Sequence, residues 1–411
     1  MNNFKHIYFE SKWYKKWEEE GSFCSKVESN KDKKNFIQIP LKIYRNDKNW
    51  IRPLDKDINS VFSKNKNKAY RYGEAIRWLL KDNGEVIGRI AAFYSSKNAE
   101  DKRLKVGGCG FFECINNQKA ANLLFDTAKN WLKDKGYNSM DGPINFGERD
   151  KWWGCLFKGF EIDPNYQQNY GKDYYPKLFE SYGFKVLFKQ LTFFKKVKTP
   201  LSEKLKYKAE RALKNPDYNF RMLEKKNIEK YILDFMKIYN EAWAKYPGVS
   251  TLKLAQAKSI FNQLKPILDE KILWFAYEKE DPIGFFICIP EMNQIFKYVN
   301  GKLNLIGKIK TYYHLKIKKS CKKIIGLVFG IVPKHQGKGV DGALIMASSN
   351  TIQKELAYTD MELNWIPDFN TAMIKVATQV QATNEIKPAK VHHTYRYNFD
   401  KSIPVERIVK K

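Results

Sequence analysis

The sequence predicts an α/β (α+β) protein made of two tandem domains, each with a mixed, mostly antiparallel central sheet flanked by helices. Three observations lead to this prediction. The chain has 411 residues, a length that suits two or three domains. Apolar residues make up 43% of it and charged residues 29%, a balance typical of folded proteins. Each half of the chain also repeats one order of patterns: helix, hairpin, central strand, helix, strand, helix.

The first half begins with two short apolar segments, 36–40 and 50–54, which are predicted as strands. An Asn83-Gly84 turn before the apolar run 86–93 predicts a hairpin, because Asn-Gly is a favoured turn between antiparallel strands. The remaining elements are a strand at 106–115, a helix at 118–135 that Gly136 ends, and a strand at 184–194.

The second half repeats this order after a charged connection. Apolar residues at helical spacing from 228 to 243 predict a helix, and the segments 273–277 and 283–289 predict a hairpin. The segment 324–332 does not alternate, so we expect a strand that is buried on both faces. The predicted elements that complete this half are a short helix within 204–214 in the connection, a helix at 342–356, a strand at 361–365 and a helix from 372.

The charge of the chain indicates a polyanionic partner. Lys and Arg number 74 against 45 Asp and Glu, which gives a net charge of +29. Nucleic acid, an anionic membrane surface and a phosphate-bearing cofactor all fit this excess. The six cysteines form no C-x-x-C pair, so we expect no metal site and no disulfide framework. The segment 1–16 has no apolar core of a signal peptide, and the longest apolar stretch, 324–333, is too short to cross a bilayer. We therefore expect a cytoplasmic protein.

One segment carries the chemical information. The predicted strand that ends at Pro333 runs into Lys334-His335-Gln336-Gly337-Lys338-Gly339-Val340, and a helix follows at once. Glycines allow backbone N–H groups to converge, and the N-terminus of a helix adds unpaired donors with partial positive charge. Such a loop can hold a diphosphate, although the same residues also suit a plain turn that starts a helix.

The segment Gln336-x-x-Gly339 between a strand and a helix resembles the acyl-CoA loop of the GNAT superfamily of N-acyltransferases. Asp341 stands where that family has Gly or Ala. The segments 362–373 and 390–397 resemble the family's following strand, helix and last strand. In the first half, the segment 140–146 with Gly159-Phe160 is similar to a subgroup that has two GNAT-like halves.

The resemblance implies two tandem GNAT-like domains, an N-terminal one at 1–198, a connection at 199–225 and a C-terminal one at 226–411. It also implies acetyl-CoA or a longer acyl-CoA as co-substrate, without a metal. The residues that match the family's donor site, some through the backbone, are Ile331, Val332, Gln336, Gly337, Lys338, Gly339, Val340 and Asn370. The first half has Asn116 and Asn117 where the glycine loop would lie, so we expect it to bind no CoA.

The catalytic residues are less clearly indicated. The tyrosine that the family places about seven residues after Asn370 is replaced by Ala377, and the family's glutamate on the central strand is missing from the second half. Glu362 and Tyr395 are the residues predicted to replace them. Each has an alternative role, because Glu362 could pair with a basic residue and Tyr395 could pack in the core.

The acceptor is predicted from charge and aromatic residues. The segment 301–323 has eight lysines, no acidic residue and interleaved apolar residues. It is either a solvated basic face or an interfacial element that contacts anionic lipid or RNA. Trp153, Tyr170 and Tyr174 either line an acceptor cleft or belong to the core.

The main hypothesis is an acyl-CoA-dependent N-acyltransferase with its active site in the second half. Its acceptor would be a small or lipid-like amine, and the protein could lie peripherally on the inner membrane face. Two alternatives stay open. One is a Fem-type transferase, which uses aminoacyl-tRNA and would suit the net charge. The other is a GNAT-like binding protein without catalysis.

Overall fold

A computed structural model describes residues 22–96, 104–243, 251–355, 357–380 and 387–408. The strands are β1 Ser22–Lys26, β2 Gly73–Asp82, β3 Glu85–Ser95, β4 Val106–Cys114, β5 Ser139–Gly142, β6 Cys155–Lys158, β7 Lys185–Lys196, β8 Tyr218–Met222, β9 Leu273–Glu278, β10 Asp281–Pro290, β11 Lys323–Ile331, β12 Asp360–Pro367 and β13 Lys390–Asn398. The α-helices are α1 Asn30–Ile43, α2 Asp55–Val61, α3 Gln118–Asp134, α4 Tyr175–Tyr182, α5 Glu203–Leu213, α6 Ile228–Trp243, α7 Leu254–Leu264, α8 Asn293–Phe296, α9 Leu305–Tyr312, α10 Val340–Glu355 and α11 Thr371–Gln379.

The strands of the described residues form one continuous sheet. Their order is β1-β2-β3-β4-β5-β13-β7-β12-β11-β10-β9-β8, and β6 pairs with β13. The neighbours β4–β5 and β11–β12 are parallel, and the other pairs are antiparallel. The predicted fold class of a mixed, mostly antiparallel sheet flanked by helices is therefore confirmed. The structure adds that the sheets of the two halves are joined edge to edge.

The closing strands of the two halves are exchanged at this junction. β7 precedes the predicted connection at 199–225, yet it pairs with β12 of the second half. β13 comes from the end of the chain and lies between β5 and β7. Backbone hydrogen bonds thus tie each half to the last strand of the other. Strand pairing therefore crosses the predicted domain limits at 198 and 226. Those limits stay predictions.

The predicted strand at 36–40 is wrong, because these residues lie in helix α1. Ser29 caps this helix in a reciprocal capping box with Asp32. Phe36 and Ile39 are buried at helical spacing. Pro40 cannot donate to the carbonyl of Phe36 four residues before it. The guanidinium of Arg89 on β3 donates to that carbonyl instead, so a contact from the sheet makes the helix possible.

The predicted strand at 50–54 is also wrong, since these residues have no ladder partner and lead into α2. The hairpin β2–β3 is confirmed, and its turn residues Asn83 and Gly84 both have positive φ. The predicted hairpin β9–β10, the helices α3, α5, α6, α10 and α11 and the strands β4, β7, β11 and β12 are confirmed as well, with ends that differ by a few residues.

Candidate active site

The parallel strands β11 and β12 run side by side and then part. Their pairing starts at Lys323 opposite Asp360 and ends at Gly326 opposite Leu363. The next residue, Leu327, is a bulge relative to β10, and its side chain is 38% exposed. The prediction that this strand is buried on both faces is therefore wrong at its centre. A Cβ at Gly326 would lie 2.6 Å from the end of the Leu363 side chain, so a larger residue there would have to displace that side chain.

The glycine loop begins where β11 ends. Pro333–His335 form one 3₁₀ turn, and Gly337 and Gly339 follow with φ of +77° and +87°. Within the described part of the chain, the backbone N–H groups of residues 337–339 find no acceptor. Val340 then starts α10, whose first-turn N–H groups have no partner inside the helix. The loop therefore presents consecutive unused donors beside the point where the strands part.

The two glycines of the loop have different surroundings. A Cβ at Gly337 would meet open space, so the loop is accessible there. A Cβ at Gly339 would lie 2.4 Å from the carbonyl oxygen of Lys208, because α5 crosses the start of α10 at this point. Ala209 and Ala212 on α5 pack against Ala343 on α10 and keep the two helices close. Helix α5 thus fixes the backbone of the loop from one side.

The surroundings of the loop are basic. Lys208 on α5 and Lys334 and Lys338 on the loop are all exposed. Asp341, the residue that departs from the family pattern, is half-buried in the first turn of α10. Among the described residues, its carboxylate forms no hydrogen bond with the loop N–H groups. The donors are therefore not satisfied by the protein's own acidic side chain.

Three predicted donor-site residues have contacts within the protein. The Gln336 side chain donates to the carbonyl of Ile331 at 2.9 Å and closes the loop onto β11. The N–H of Val332 donates to the carbonyl of Ile283 on β10 at 2.9 Å, so that N–H is not available to polarise a thioester. Asn370 caps α11, since its side chain accepts from the N–H of Met373. These residues shape the site in this structure.

An apolar cavity of about 40 Å³ lies next to the parting strands, between α10 and α11. Its apolar walls include Phe329, Ile345, Ile352, Leu363, Met373 and Val376. Three polar side chains, Ser348, Ser349 and Lys195, also line it. The hydroxyl of Ser348 is buried without a hydrogen-bond partner. Burial lowers the pKa of the Lys195 ammonium to about 8, and this group donates to the carbonyl of Thr199.

Glu362 is fully buried and doubly paired. Its oxygens lie 2.9 Å from the Lys323 ammonium and 2.7 Å from the Lys390 ammonium, and Asn165 donates to it as well. Burial opposes its charge, but the two ammonium groups hold the pKa of Glu362 below its usual value. Glu362 lies opposite Ile325, six residues before Ile331, which corresponds to about 20 Å along the strand. The structure thus does not bring Glu362 to the glycine loop, and a catalytic role for it stays a prediction.

Tyr395 lies in the core of the first half. Its ring stacks on Phe179, its hydroxyl donates to Glu180, and burial raises its pKa. The neighbouring His393 contacts the Tyr395 hydroxyl at 3.3 Å, and burial lowers the pKa of His393 to about 4. The core that includes Tyr395 is separate from the one around β11 and α10, because β13 has crossed into the first half. A catalytic role for Tyr395 also stays a prediction.

A second cavity, of about 70 Å³, lies in the first half. Of the predicted acceptor residues, Tyr170 lines it, whereas Trp152 and Tyr175 take the places expected for Trp153 and Tyr174. Side-chain direction could not be predicted here, since 143–154 and 159–174 form no strand or α-helix. Arg89 and Glu113, which pair opposite each other on β3 and β4, also line the cavity and were missed. The sequence signal that could have found them is a charged residue within each of two apolar strands.

The segment 301–323 exposes apolar side chains together with lysines. Leu305, Ile306 and Ile309 on α9 are 73%, 64% and 60% exposed. Tyr312 at the end of α9 and Ile317 in the following turn continue this apolar surface. The exposed lysines of the segment are Lys302, Lys308, Lys310, Lys316, Lys318, Lys319 and Lys322, whereas Lys323 points inward to Glu362.

Two similar solved structures identify the architecture. The chain has the tandem GNAT fold. A tandem GNAT protein from the clavulanic acid biosynthesis pathway matches 93% of this chain over 99% of its own length, with a TM-score of 0.51 and 8% identity. A GCN5-related glucosamine N-acetyltransferase region of a fungal multi-domain β-N-acetylglucosaminidase matches 92% of this chain, with a TM-score of 0.52 and 12% identity. The match covers 38% of that longer fungal chain.

Sequence relatives span nearly the whole tandem GNAT chain. The bacterial ceramide synthase of Caulobacter vibrioides is 24% identical over 87% of this chain and 94% of its own length. Protein YghO of Escherichia coli is 23% identical over 89% of this chain and 92% of its own length. No family model matches the chain. Across the described residues, no helix has the length and apolar character needed to span a membrane.

Proposed function

We propose that this tandem GNAT protein is an acyl-CoA-dependent N-acyltransferase whose acceptor is a lipid-like amine. The observation that carries the proposal is the loop at 336–340, where unused N–H donors lie beside two parting parallel strands. The ceramide synthase name of a relative that covers nearly the same length supports acyl transfer to such an amine.

The residues of the loop suit a diphosphate. Three consecutive N–H groups, the start of α10 and the exposed Lys334 and Lys338 supply hydrogen-bond donors and positive charge. Open space at Gly337 allows the anion to approach the backbone. Acyl-CoA would bring a thioester to this end of the sheet, and the fixed loop would limit its positions. Holding donor and acceptor in register can supply several kcal/mol of the barrier to transfer.

The apolar cavity between α10 and α11 would take the acyl group. Its lining is hydrocarbon apart from Ser348, Ser349 and Lys195, so an acyl chain longer than acetyl gains more from burial there. The cavity adjoins the paired ends of β11 and β12, through Ile324 and Leu363. The donor loop and the cavity therefore share one strand pair.

The surface of α9 and its following turn would contact an anionic membrane. Exposed isoleucine, leucine and tyrosine side chains lie among seven exposed lysines, and this combination favours the interface of anionic lipid. A lipid-like acceptor would then reach the enzyme from the membrane surface. Binding to vesicles of defined charge tests this contact.

Calorimetric titration with acetyl-CoA and a long-chain acyl-CoA tests the donor site. The wild-type protein should bind the long-chain thioester more tightly, and Gly339→Ala should weaken binding at least tenfold, because its Cβ displaces the loop from Lys208. Gly136→Ala is the matched control, since Gly136 has a similar φ of +80° and a Cβ there would meet open space. Gly136 lies in the first half of the chain, outside the loop. No binding of either thioester to the wild-type protein would refute the proposal. Salt-dependent binding of aminoacyl-tRNA in its place would favour the Fem-type alternative.

A further inference from the structure

The cavity of the first half lies where a second pair of parallel strands parts. Pairing of β4 with β5 ends at Gly108 opposite Asp141. Phe111 to Glu113, later on β4, and Pro143, directly after β5, line the cavity. This position repeats that of the gap between β11 and β12 in the second half. The connection from β4 to α3 has Asn116 and Asn117 and no glycine, so a diphosphate loop is absent here. A different ligand must be considered.

A buried acid and base form one wall of the cavity. Glu113 accepts hydrogen bonds from the hydroxyls of Tyr44 and Tyr175, both at 2.8 Å. Its other oxygen lies 3.4 Å from the Arg89 guanidinium, a long contact that leaves room for a further donor. The Arg89 and Glu113 charges balance each other. The wall therefore favours a polar ligand over an anion.

Two hydrogen-bond donors in this wall have no partner. The Nε–H of Arg89 and the indole Nε1–H of Trp152 are unpaired, and each residue is only 6% exposed. Both residues belong to the lining of the cavity, and leaving a buried donor unpaired costs free energy, so an acceptor that reached these donors would be stabilised. Both groups donate and neither accepts. The partner that suits them is an acceptor oxygen, which a bound water or a hydroxyl or carbonyl group of a ligand supplies.

The backbone around the cavity is strained. Phe111, Trp152 and Gln167 all line it and have φ of +51°, +46° and +62°. This conformation is unfavourable for bulky side chains, and strain of this kind persists mainly at functional sites. The N–H of Trp152 donates to the carbonyl of Gln167 at 2.7 Å, which holds two of the three strained residues together.

Both halves of the chain build the cavity wall. Asn293 on α8 lines it together with Tyr166 of the first half. The backbone N–H groups of Asn293 and Tyr166 donate to one oxygen of Glu291, at 2.7 Å and 2.9 Å. Next to Tyr166, Asn165 donates to Glu362 on β12. A ligand in this cavity would thus sit at the junction of the halves.

We propose that this cavity binds the head group of the amine acceptor through hydroxyl or carbonyl oxygens that accept from Arg89 and Trp152. The acceptor amine, in its neutral form, would donate a hydrogen bond to the free side of Glu113. The rings of Trp50, Tyr170 and Tyr175 would contact the apolar part of the head group. This assignment rests on the proposed function, since it locates the acceptor of that reaction.

Equilibrium binding of two amphiphilic amines to the full chain tests the assignment. The probes are a long-chain 2-amino-1,3-diol and an alkylamine of equal chain length without oxygen. Trp152→Phe keeps the ring and removes the donor, so it should weaken diol binding about three- to tenfold and leave alkylamine binding unchanged. Arg89→Lys, which also lacks the Nε donor, should act in the same direction. Trp131→Phe, a ring on α3 outside the cavity lining, is the matched control and should change neither affinity.

The result that overturns the assignment is a Trp152→Phe protein with wild-type melting temperature and unchanged diol affinity. An equal loss for both amines would also overturn it, because a lost oxygen contact cannot weaken an amine that has no oxygen. Acyl-CoA affinity, measured separately, should be the same in wild type and Trp152→Phe. If the wild-type protein bound no acyl-CoA, the proposed donor function would fail, whatever the two amines do.

Discussion

Replacing Glu362 with glutamine leaves two buried ammonium groups with one fewer carboxylate. Lys323 and Lys390 lie within 2.9 Å of Glu362, and all three side chains are almost inaccessible to solvent. Removing one partner of a buried ion pair typically costs 3–5 kcal/mol, since the remaining charge stays desolvated. We therefore expect Glu362→Gln to lower the free energy of unfolding by about 3–5 kcal/mol. The matched control is Asp360→Asn on the same strand, whose partner Lys196 is exposed, and its expected cost is below about 1 kcal/mol.

The assay combines denaturant unfolding with acyl transfer at low temperature, where both variants are folded. A structural role predicts a large loss of stability in Glu362→Gln and a small change in kcat. The pKa of Glu362 is lowered in the folded state, so its stabilisation is complete above its ordinary pKa and is lost as the pH falls through the folded value. Glu362→Gln should lack this acid-dependent component. Wild-type stability combined with a thousandfold lower kcat would refute the reasoning and make Glu362 a catalytic base.

Three further predictions follow from single contacts. His392 is buried with a pKa lowered to about 4, so stability should fall by about 3 kcal/mol as the pH drops from 6.5 to 4, and His392→Gln should reduce this fall in pH-dependent unfolding. Lys195→Met should stabilise the protein by about 1–3 kcal/mol below pH 8, where the buried ammonium of the wild type is charged. The gain should shrink as the pH rises to 10.5, because the folded wild type then loses this charge. Equal stability of both proteins at pH 7 would contradict this prediction. Ile306→Ser with Ile309→Ser should reduce partition onto anionic vesicles about tenfold in a sedimentation assay, whereas Leu233→Ser on α6 should not; equal partition of all variants would exclude α9 as the contact.

The elements and the glycine loop at 336–340 could be predicted from the sequence because their signals are local. Asn83-Gly84 favours a hairpin turn by its own backbone preferences, and the loop at 336–340 combines glycines with the start of a helix in consecutive residues. The segment 36–40 shows the limit of such signals. Its helix depends on Arg89, which satisfies the carbonyl that Pro40 leaves free, and Arg89 is 49 residues away from Pro40 along the chain.

The candidate acceptor cavity and the role of Glu362 were decided by tertiary structure. Trp152 rather than Trp153 enters the cavity because the chain there is irregular and no two-residue period sets the side-chain direction. Glu362 meets Lys390 only because β13 lies next to β7 and β7 next to β12.

The sequence by itself determined the tandem architecture and the position of the glycine loop, since both depend on periodicity and backbone preference over short segments. Only the tertiary structure decided the exchange of β7 and β13, the packing of Lys208 on Gly339 and the pairing of Arg89 with Glu113. Such contacts join residues that lie far apart in the chain. Their free energy depends on burial and geometry, and a local pattern specifies neither.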